Sequence, residues 1–373
     1  MERIQQNYIL QDLEKKIVLL VGPRQAGKTW LAKAIGKKFK NTLYLNYDSN
    51  PDKRIMLEQS WLPDLELLIL DELHKMPEWK NYLKGIFDTK PESMRILVTG
   101  SARLDIYDQV GDSLAGRYFR HRLLPFSLSE LRQVGAKSSV NMLLARSGFP
   151  EPFLSPNDQE AERWRQQYIN SMLSSDIFDV DEIDDIKSFR LVFELLRTKV
   201  GGQVSYKSIA EDIQISPHTV KKYIQILQAL YIVFIVTPYS NNIARSILKE
   251  PKIYFFDNGL VNSDAGGKLE NFVANSLLKS LYAQNDYHAT NYSLQYLRTK
   301  DKIEVDFALV NKDKIEQIIE VKSSNSSLHV GLKYFHDKYH LPAMQIVNNL
   351  RLEKLVNDIK ILDLSKYLSE QFM

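Results

Sequence analysis

The sequence predicts an α/β protein of more than one domain: a parallel-sheet unit first, a small helical module in the middle, and a second α/β unit at the C-terminus. Three observations carry this. An apolar, β-branched run, "IVLLV" (17–21), leads through the glycine-bracketed loop "GPRQAGKT" into a helix. The stretch "SYKSIAEDIQISPHTVKKYIQILQALYIVFIV" reads as helix, tight turn, helix, strand. Finally, a helix bearing Glu270 precedes a hairpin bearing Asp306 and a strand bearing Glu320 and Lys322. A short apolar run of the first kind is what a strand covered on both faces requires. A length of 373 residues suits two or three domains, and 44% hydrophobic with 25% charged residues can build cores without covalent staples.

Composition removes several function classes. There is no Cys, which excludes disulfides, thiolate metal sites and a Cys nucleophile. The net charge of +3 decides nothing about nucleic acid, because a basic patch can sit inside a balanced total. The opening "MERIQQNYILQDLEKK" lacks the basic-then-apolar order of a secretory signal. The longest apolar stretches, such as "YIVFIV" (231–236), are too short to span a bilayer. The expectation is a cytoplasmic protein with no membrane partner.

The first loop comprises Gly22, Pro23, Arg24, Gln25, Ala26, Gly27, Lys28 and Thr29, with Trp30 following, and fits G-x-x-x-x-G-K-[ST]. Glycines let backbone N–H groups curl around phosphate oxygens, and the helix N-terminus adds partial positive charge. Lys28 is expected to reach the terminal phosphates and the Thr29 hydroxyl to hold Mg²⁺. A second piece is expected on a neighbouring strand. "LLIL" (67–70) supplies it, ending in Asp71 and Glu72 at the edge where parallel sheets bind ligands. Asp71 is expected to hold Mg²⁺ through water, and Glu72 to orient or deprotonate the attacking water. "ILVTG" (96–100) reads as a further strand, after which Thr99 or Ser101 either senses the γ-phosphate or begins a turn. Arg117 either stabilises the transferring phosphoryl group or pairs with a surface carboxylate; Arg103 and Arg120 are secondary candidates.

Here a resemblance becomes specific. "GPRQAGKT", "LDELHKMPEW" and "LVTGSARL" with "LAGRYFRHRLLPFSLSEL" resemble the AAA-type ATPases of a widespread prokaryotic family, whose members fuse the ATPase to a C-terminal domain of unknown function. "PKIYFFDNGLV" (251–261) resembles the opening of that C-terminal domain, so the likeness covers almost the whole chain. It implies an AAA-type P-loop NTPase fold at the N-terminus and ATP, rather than GTP, as the nucleotide.

In the middle, "NDQEAERWRQQYINSMLSSDIFDV" reads as a helical connector with Trp164, Tyr168 and Met172 spaced by four, and "SFRLVFELLRTKVGGQVSY" as a helix closed by Gly201 and Gly202. Ile209, Ala210 and Ile213 give the next helix an apolar face. Ser216 and Pro217 then open another helix, whose buried face is Val220, Tyr223, Ile224 and Leu227. With the strand that follows, this is the pattern of a winged helix-turn-helix. His218, Lys221, Lys222 and Gln225 face outward, toward a DNA major groove or, in the alternative, toward a protein surface.

An E-x-K triplet is cheap, and the chain has four: Glu14/Lys16, Glu78/Lys80, Glu250/Lys252 and Glu320/Lys322. Only the last lies in a strand-like run, where a spacing of two puts both side chains on one face. The order of helix with Glu270, hairpin with Asp306 and strand with Glu320 and Lys322 resembles the PD-(D/E)XK nucleases, such as restriction endonucleases. That resemblance implies Mg²⁺ on Asp306 and Glu320, Glu270 completing the site or holding a water ligand, and Lys322 activating the attacking water or stabilising the phosphorane charge. The bland alternative is a β-edge with a salt bridge. The expected domains are an AAA-type ATPase over 1–135, a helical connector over 136–195, a winged helix-turn-helix over 196–240 and a restriction-endonuclease-like domain over 241–373. The functional expectation is an ATP-hydrolysing enzyme acting on DNA, with Mg²⁺-dependent cleavage as a conditional second activity. The competing expectation is an ATP-driven switch that binds nucleic acid or protein without cutting. Whether Arg117 acts within one subunit or across a homo-oligomer is left open.

Overall fold

A computed structural model describes residues 3–100, 114–172, 183, 185–240, 250–324 and 327–372; Ser101 and Arg103 lie outside the described residues. The chain forms two compact units, Met1–Leu124 with Ala229–Tyr231, and Pro125–Gln228 with Ile232–Met373.

The first unit is built on five parallel strands: β1 (Ile17–Val21), β2 (Thr42–Asn46), β3 (Leu67–Asp71), β4 (Arg95–Thr99) and β5 (Tyr118–Arg122), in the order β2-β3-β4-β1-β5. Alternation along the strands divides the core into two layers. Ile17, Leu19 and Val21 of β1 join Leu68, Leu70, Ile96 and Val98 on one face, against Met56 of α3 (Asn50–Glu58) and Trp79, Leu83 and Ile86 of α4 (Trp79–Thr89). Val18 and Leu20 join Leu67, Ile69 and Leu97 on the other, against Ile9 and Leu13 of α1 (Gln5–Leu13) and Leu31, Ala32 and Ile35 of α2 (Lys28–Gly36). Both faces are covered, so β1 and β3 are apolar at nearly every position. Each fully buried Leu or Ile contributes roughly 1.5–3 kcal/mol relative to exposure.

One expectation is corrected here. The strand carrying Asp71 is not the neighbour of β1: β4 lies between β1 and β3. Local patterning marks where strands are, but their order depends on long-range packing.

The second unit carries an eight-stranded mixed sheet, ordered β12-β13-β11-β10-β9-β8-β6-β7. Its helices before the sheet are α5 (Leu128–Gln133), α6 (Val140–Arg146), α7 (Pro150–Leu154), α8 (Asp158–Ser171), α9 (Ile186–Thr198), α10 (Tyr206–Ile213) and α11 (Pro217–Ala229). The sheet and its connections follow: β6 (Val233–Pro238), β7 (Lys252–Phe255), α12 (Ala265–His288), β8 (Tyr292–Arg298), β9 (Glu304–Asn311), β10 (Lys314–Lys322), α13 (Val330–Tyr339), β11 (Ala343–Val347), β12 (Lys354–Val356), β13 (Ile359–Asp363) and α14 (Leu364–Ser369).

The expected turn helices and hairpin are in place. Ser216 accepts a hydrogen bond from Thr219 N at 3.0 Å and opens α11, and β8 pairs antiparallel with β9 across a turn at 299–303. Trp164 stacks on Tyr168 with ring centroids 4.9 Å apart. The strand expected after α11 is present as β6. β6 pairs antiparallel with β7 and, at its end, parallel with β8, so it belongs to the same sheet as the C-terminal strands. A boundary drawn at 240/241 therefore runs between two strands of one sheet. Among the described residues, no helix is long and apolar enough to cross a membrane.

Candidate functional site

In the first unit the loop between β1 and α2 has the backbone that its glycines permit. Gly22 (φ 143°), Gln25 (φ 61°) and Gly27 (φ 95°) all take positive φ. A Cβ on Gly22 would stand 2.3 Å from the Leu123 carbonyl oxygen, so only glycine fits there. Lys28 opens α2, is nearly fully buried, and donates to the carbonyl oxygens of Gly22 (2.9 Å) and Pro23 (2.7 Å). Burial pulls its pKa down to about 8, against the opposing pull of Glu72 and Asp71. A charge held at this desolvation cost inside a curled, donor-rich loop fits phosphate, which would restore the ammonium's favoured state. Trp30 is half exposed beside the loop.

Asp71 ends β3 and is a hub. Its Oδ2 accepts from Thr29 Oγ1 (2.9 Å) and Tyr44 OH (2.6 Å), while its Oδ1 accepts from Glu72 N (3.1 Å) and the Thr99 hydroxyl. Thr29 and Asp71 thus present a hydroxyl and a carboxylate side by side at the head of α2, the pair that would hold Mg²⁺. Glu72 has φ 56°, a conformation uncommon outside glycine. Its N–H donates to the Thr99 carbonyl at 3.0 Å, which fixes the backbone of that turn. Burial raises the pKa of its carboxyl group, with Lys28 opposing.

Other expectations fare differently. Thr99 is fully buried and spends its hydroxyl on Asp71, so it supports that carboxylate instead of opening a solvent-facing turn. Arg117, expected either at the transferring phosphoryl group or on a surface carboxylate, lies at the edge of the sheet away from its own chain's loop. Its carbonyl accepts from Ile17 N, at the start of β1, whereas the loop leaves the end of β1 after Val21. Four strand steps of about 3.3 Å separate the two edges. Its guanidinium pairs with Asp88, Nε to Oδ1 at 2.9 Å.

Three residues went unread in the sequence. Arg3 is buried and ties the loop to the segment just after β5, donating to Ala26 O (3.2 Å) and Leu124 O (2.5 Å). Tyr44 holds Asp71 from β2, where the parallel register sets Asn46 beside Asp71. His74 is buried, with Nδ1 3.5 Å from Glu72 Oε2. A tyrosine two residues before the strand end was the one available hint, since that spacing puts it on Asp71's face.

In the second unit, the structure brings Glu270, Asp306, Glu320 and Lys322 together. Asp306 N donates to Glu320 Oε2 (3.4 Å) and Val321 N to Asp306 Oδ2 (3.0 Å). The centre of the cluster, however, holds Lys252. This β7 side chain is 1% exposed, with Nζ 2.7 Å from Glu304 Oε1, 3.1 Å from Glu270 Oε1 and 3.7 Å from Asp306 Oδ1. Tyr254 OH donates to the same Glu270 oxygen at 2.6 Å. Gly201 makes room, since a Cβ there would lie 2.7 Å from Glu270 Oε2. Glu320 Oε1 is met by Lys322 Nζ (2.6 Å) and His329 Nδ1 (3.1 Å).

Burial and the charges of Glu270 and Glu320 raise Asp306 well above the usual carboxylate range. Burial also pushes Glu320 upward, but His329 and Lys322 hold it below its ordinary value. Glu270, Asp306 and Glu320, the residues expected as metal ligands, share one cluster with Lys252, and among the described residues no group of three or more His, Asp or Glu is arranged to hold a metal ion. Glu270 Oε1 is engaged by the Lys252 ammonium, and Glu320 Oε1 by Lys322 Nζ and His329 Nδ1.

On α11, His218, Lys221 and Gln225 are exposed and Lys222 is half-buried, while Val220, Tyr223, Ile224 and Leu227 are buried. The outward face is therefore as the periodicity implies. Nearby Glu211 and Asp212 on α10 are also exposed, and they thin the positive potential.

Comparison with known proteins adds the following. Residues 14–132 match the family model of an AAA domain, 137–269 that of a domain of unknown function (DUF8612), and 265–367 that of another (DUF4143). An uncharacterised protein of Mycobacterium tuberculosis is 29% identical over 307 residues, which cover 78% of this chain and 66% of the relative. The chain thus spans just under two thirds of that relative's length. An uncharacterised protein of Haemophilus influenzae is 22% identical over 386 residues, covering 88% of this chain and 93% of the relative. Among solved structures, the Walker-type ATPase of Pyrococcus abyssi aligns with a TM-score of 0.46 at 13% identity, over 69% of this chain and 93% of that one. The phosphate loop of residues 22–29 and Asp71 thus lie within a region similar to AAA domains.

Proposed function

We propose that the chain binds and hydrolyses ATP in its first unit and uses the nucleotide cycle to govern what its second unit binds. The observation that carries this reading is the meeting of Lys28, Thr29 and Asp71 at one edge of the parallel sheet, with Glu72 next in the chain. The loop backbone and Lys28 bind the phosphates. Thr29 and Asp71 hold Mg²⁺, which when bound neutralises charge on the β- and γ-phosphates. Glu72 takes the proton of the attacking water or orients it, and burial, which raises its pKa, makes it a better proton acceptor than an exposed carboxylate. Tyr44 and Thr99 keep Asp71 in place, and Arg3 keeps the loop against the segment that follows β5. If Arg117 contributes to hydrolysis, it does so on a neighbouring copy of the chain.

For the second unit, DNA is the proposed partner, met by the exposed face of α11 through His218, Lys221, Lys222 and Gln225 as a winged helix meets a groove. A form of this reading that includes phosphodiester cleavage would need Mg²⁺ on the nuclease-like cluster of Asp306 and Glu320. The placement of Lys252 favours the non-cleaving form, a switch that binds without cutting.

Phosphate release, measured with and without duplex DNA, tests the proposal. The wild-type chain should hydrolyse ATP, and DNA should stimulate it. Lys28→Ala should lose nucleotide binding, and Glu72→Gln should bind ATP while hydrolysing it about 10²–10⁴-fold more slowly. Equal turnover in all three proteins would overturn the ATPase reading. A rate indifferent to DNA would remove DNA as the partner.

A further inference from the structure

We propose that Lys252 is the resident cation of the carboxylate cluster in the second unit, standing where a divalent ion would otherwise neutralise the charge, so that this unit works without a metal. The inference uses no nucleotide and is independent of the ATPase reading.

The geometry supports it in three steps. First, the charges balance internally. Glu270, Glu304, Asp306 and Glu320 are four carboxylates; Lys252, Arg298 and Lys322 are three fixed cations among them, and His329 is a fourth nitrogen partner. Little net charge remains to attract Mg²⁺, which gives up its water shell only to well-placed anionic oxygens. Second, at least one oxygen of each carboxylate is engaged. Glu270 Oε1 serves Lys252 and Tyr254, Glu304 serves Lys252 and Arg298, Glu320 Oε1 serves Lys322 and His329, and Asp306 Oδ2 serves Val321 N. Third, Lys252 is held inside. It begins β7, which pairs with β6, is 1% exposed, and has its ammonium 5.5 Å from the centre of the Tyr296 ring. A buried ammonium is kept only where opposite charges and hydrogen bonds repay its lost hydration. Displacing it would cost the protein that whole set of contacts.

Titrating Mn²⁺ into the nucleotide-free full-length chain, followed by calorimetry and by the electron paramagnetic resonance of free Mn²⁺, tests this. Whatever Mn²⁺ the Thr29–Asp71 pair takes is common to all the proteins compared and cancels. Wild type and Asp306→Asn should bind the same number of Mn²⁺ ions. Lys252→Met should gain one ion per chain, and the Lys252→Met/Asp306→Asn double variant should lose it again. The proposal is overturned if wild type binds one ion more than Asp306→Asn, or if folded Lys252→Met gains none. Should Lys252→Met fail to fold, thermal melting of wild type and Asp306→Asn with Mn²⁺ or with EDTA decides. Equal Mn²⁺ shifts in the two proteins uphold the inference, and a shift confined to wild type rejects it.

Discussion

Thr29, the second residue of α2, and Asp71, the last residue of β3, lie 42 positions apart and meet with Thr29 Oγ1 2.9 Å from Asp71 Oδ2. A hydroxyl and a carboxylate so placed beside a phosphate loop would make a two-point seat for Mg²⁺, and the Tyr44 hydroxyl, 2.6 Å from the same Oδ2, restrains the carboxylate. Asp71→Asn should therefore lower ATP turnover about 100-fold or more, by the measure of a lost electrostatic contact in the transition state. Tyr44→Phe leaves the carboxylate in place and should cost far less, about tenfold. Steady-state rates across a Mg²⁺ titration check both. If Asp71→Asn turns over like wild type at saturating Mg²⁺, the pair has no role in holding the ion.

The pKa of Lys28 sets a pH dependence. Burial brings its ammonium from the ordinary 10.5 to about 8 in the nucleotide-free loop. Phosphate anions favour the charged form, so the bound state has the higher pKa. Below pH 8 the amine is already protonated and affinity should be flat. Above pH 8 binding must take up a proton, and the dissociation constant should rise by up to tenfold per pH unit. Calorimetry at pH 9 in two buffers of different ionisation enthalpy should report that proton uptake. An affinity constant from pH 7 to 9.5 would show that Lys28 is not the titrating contact.

Arg117 sits at the sheet edge opposite the phosphate loop and pairs with Asp88. Arg117→Ala should accordingly leave turnover within about twofold of wild type in dilute solution, where each chain acts alone, since only a residue that touches the transferring phosphoryl carries the large effects of catalytic arginines. Measuring turnover against protein concentration separates the two roles. A loss that emerges only as wild-type specific activity climbs with concentration would place Arg117 in a neighbour's site, and a large loss at every concentration would contradict its position in the fold.

What the sequence revealed divides along physical lines. The loop, α2, β3 and the turn helices were legible because their signals are local: glycine spacing, an apolar run ending in acids, a serine followed by proline. The strand order was not, since β4 enters between β1 and β3 only through long-range packing. Supports such as Arg3 and His74 were equally silent, as a single buried polar residue has no periodicity to betray it. Lys252 is the instructive case. It belonged to a second E-x-K triplet, Glu250/Lys252, which looked like noise beside Glu320/Lys322. The meaning of that lysine lies in Glu270, Glu304 and Asp306, which approach it from α12 and β9, and no spacing along the chain could report that encounter.

A last expectation concerns stability. Lys279 of α12 and Glu130 of α5 form an ion pair 149 positions apart in sequence, with side chains 5% and 0% exposed, and Lys279 Nζ also donates to Pro125 O at 2.8 Å. Such a pair is a weak net stabiliser while intact, because desolvation offsets attraction. Removing one partner strands the other charge in the interior. Lys279→Ala should thus destabilise the second unit by about 3–5 kcal/mol, whereas Lys279→Met with Glu130→Leu, which removes both charges and keeps the volume, should recover most of that loss. Urea unfolding followed by tryptophan fluorescence measures it, with Trp164 reporting from the second unit. If the double variant is no more stable than Lys279→Ala, packing around the stem, and not the stranded Glu130 charge, sets the cost.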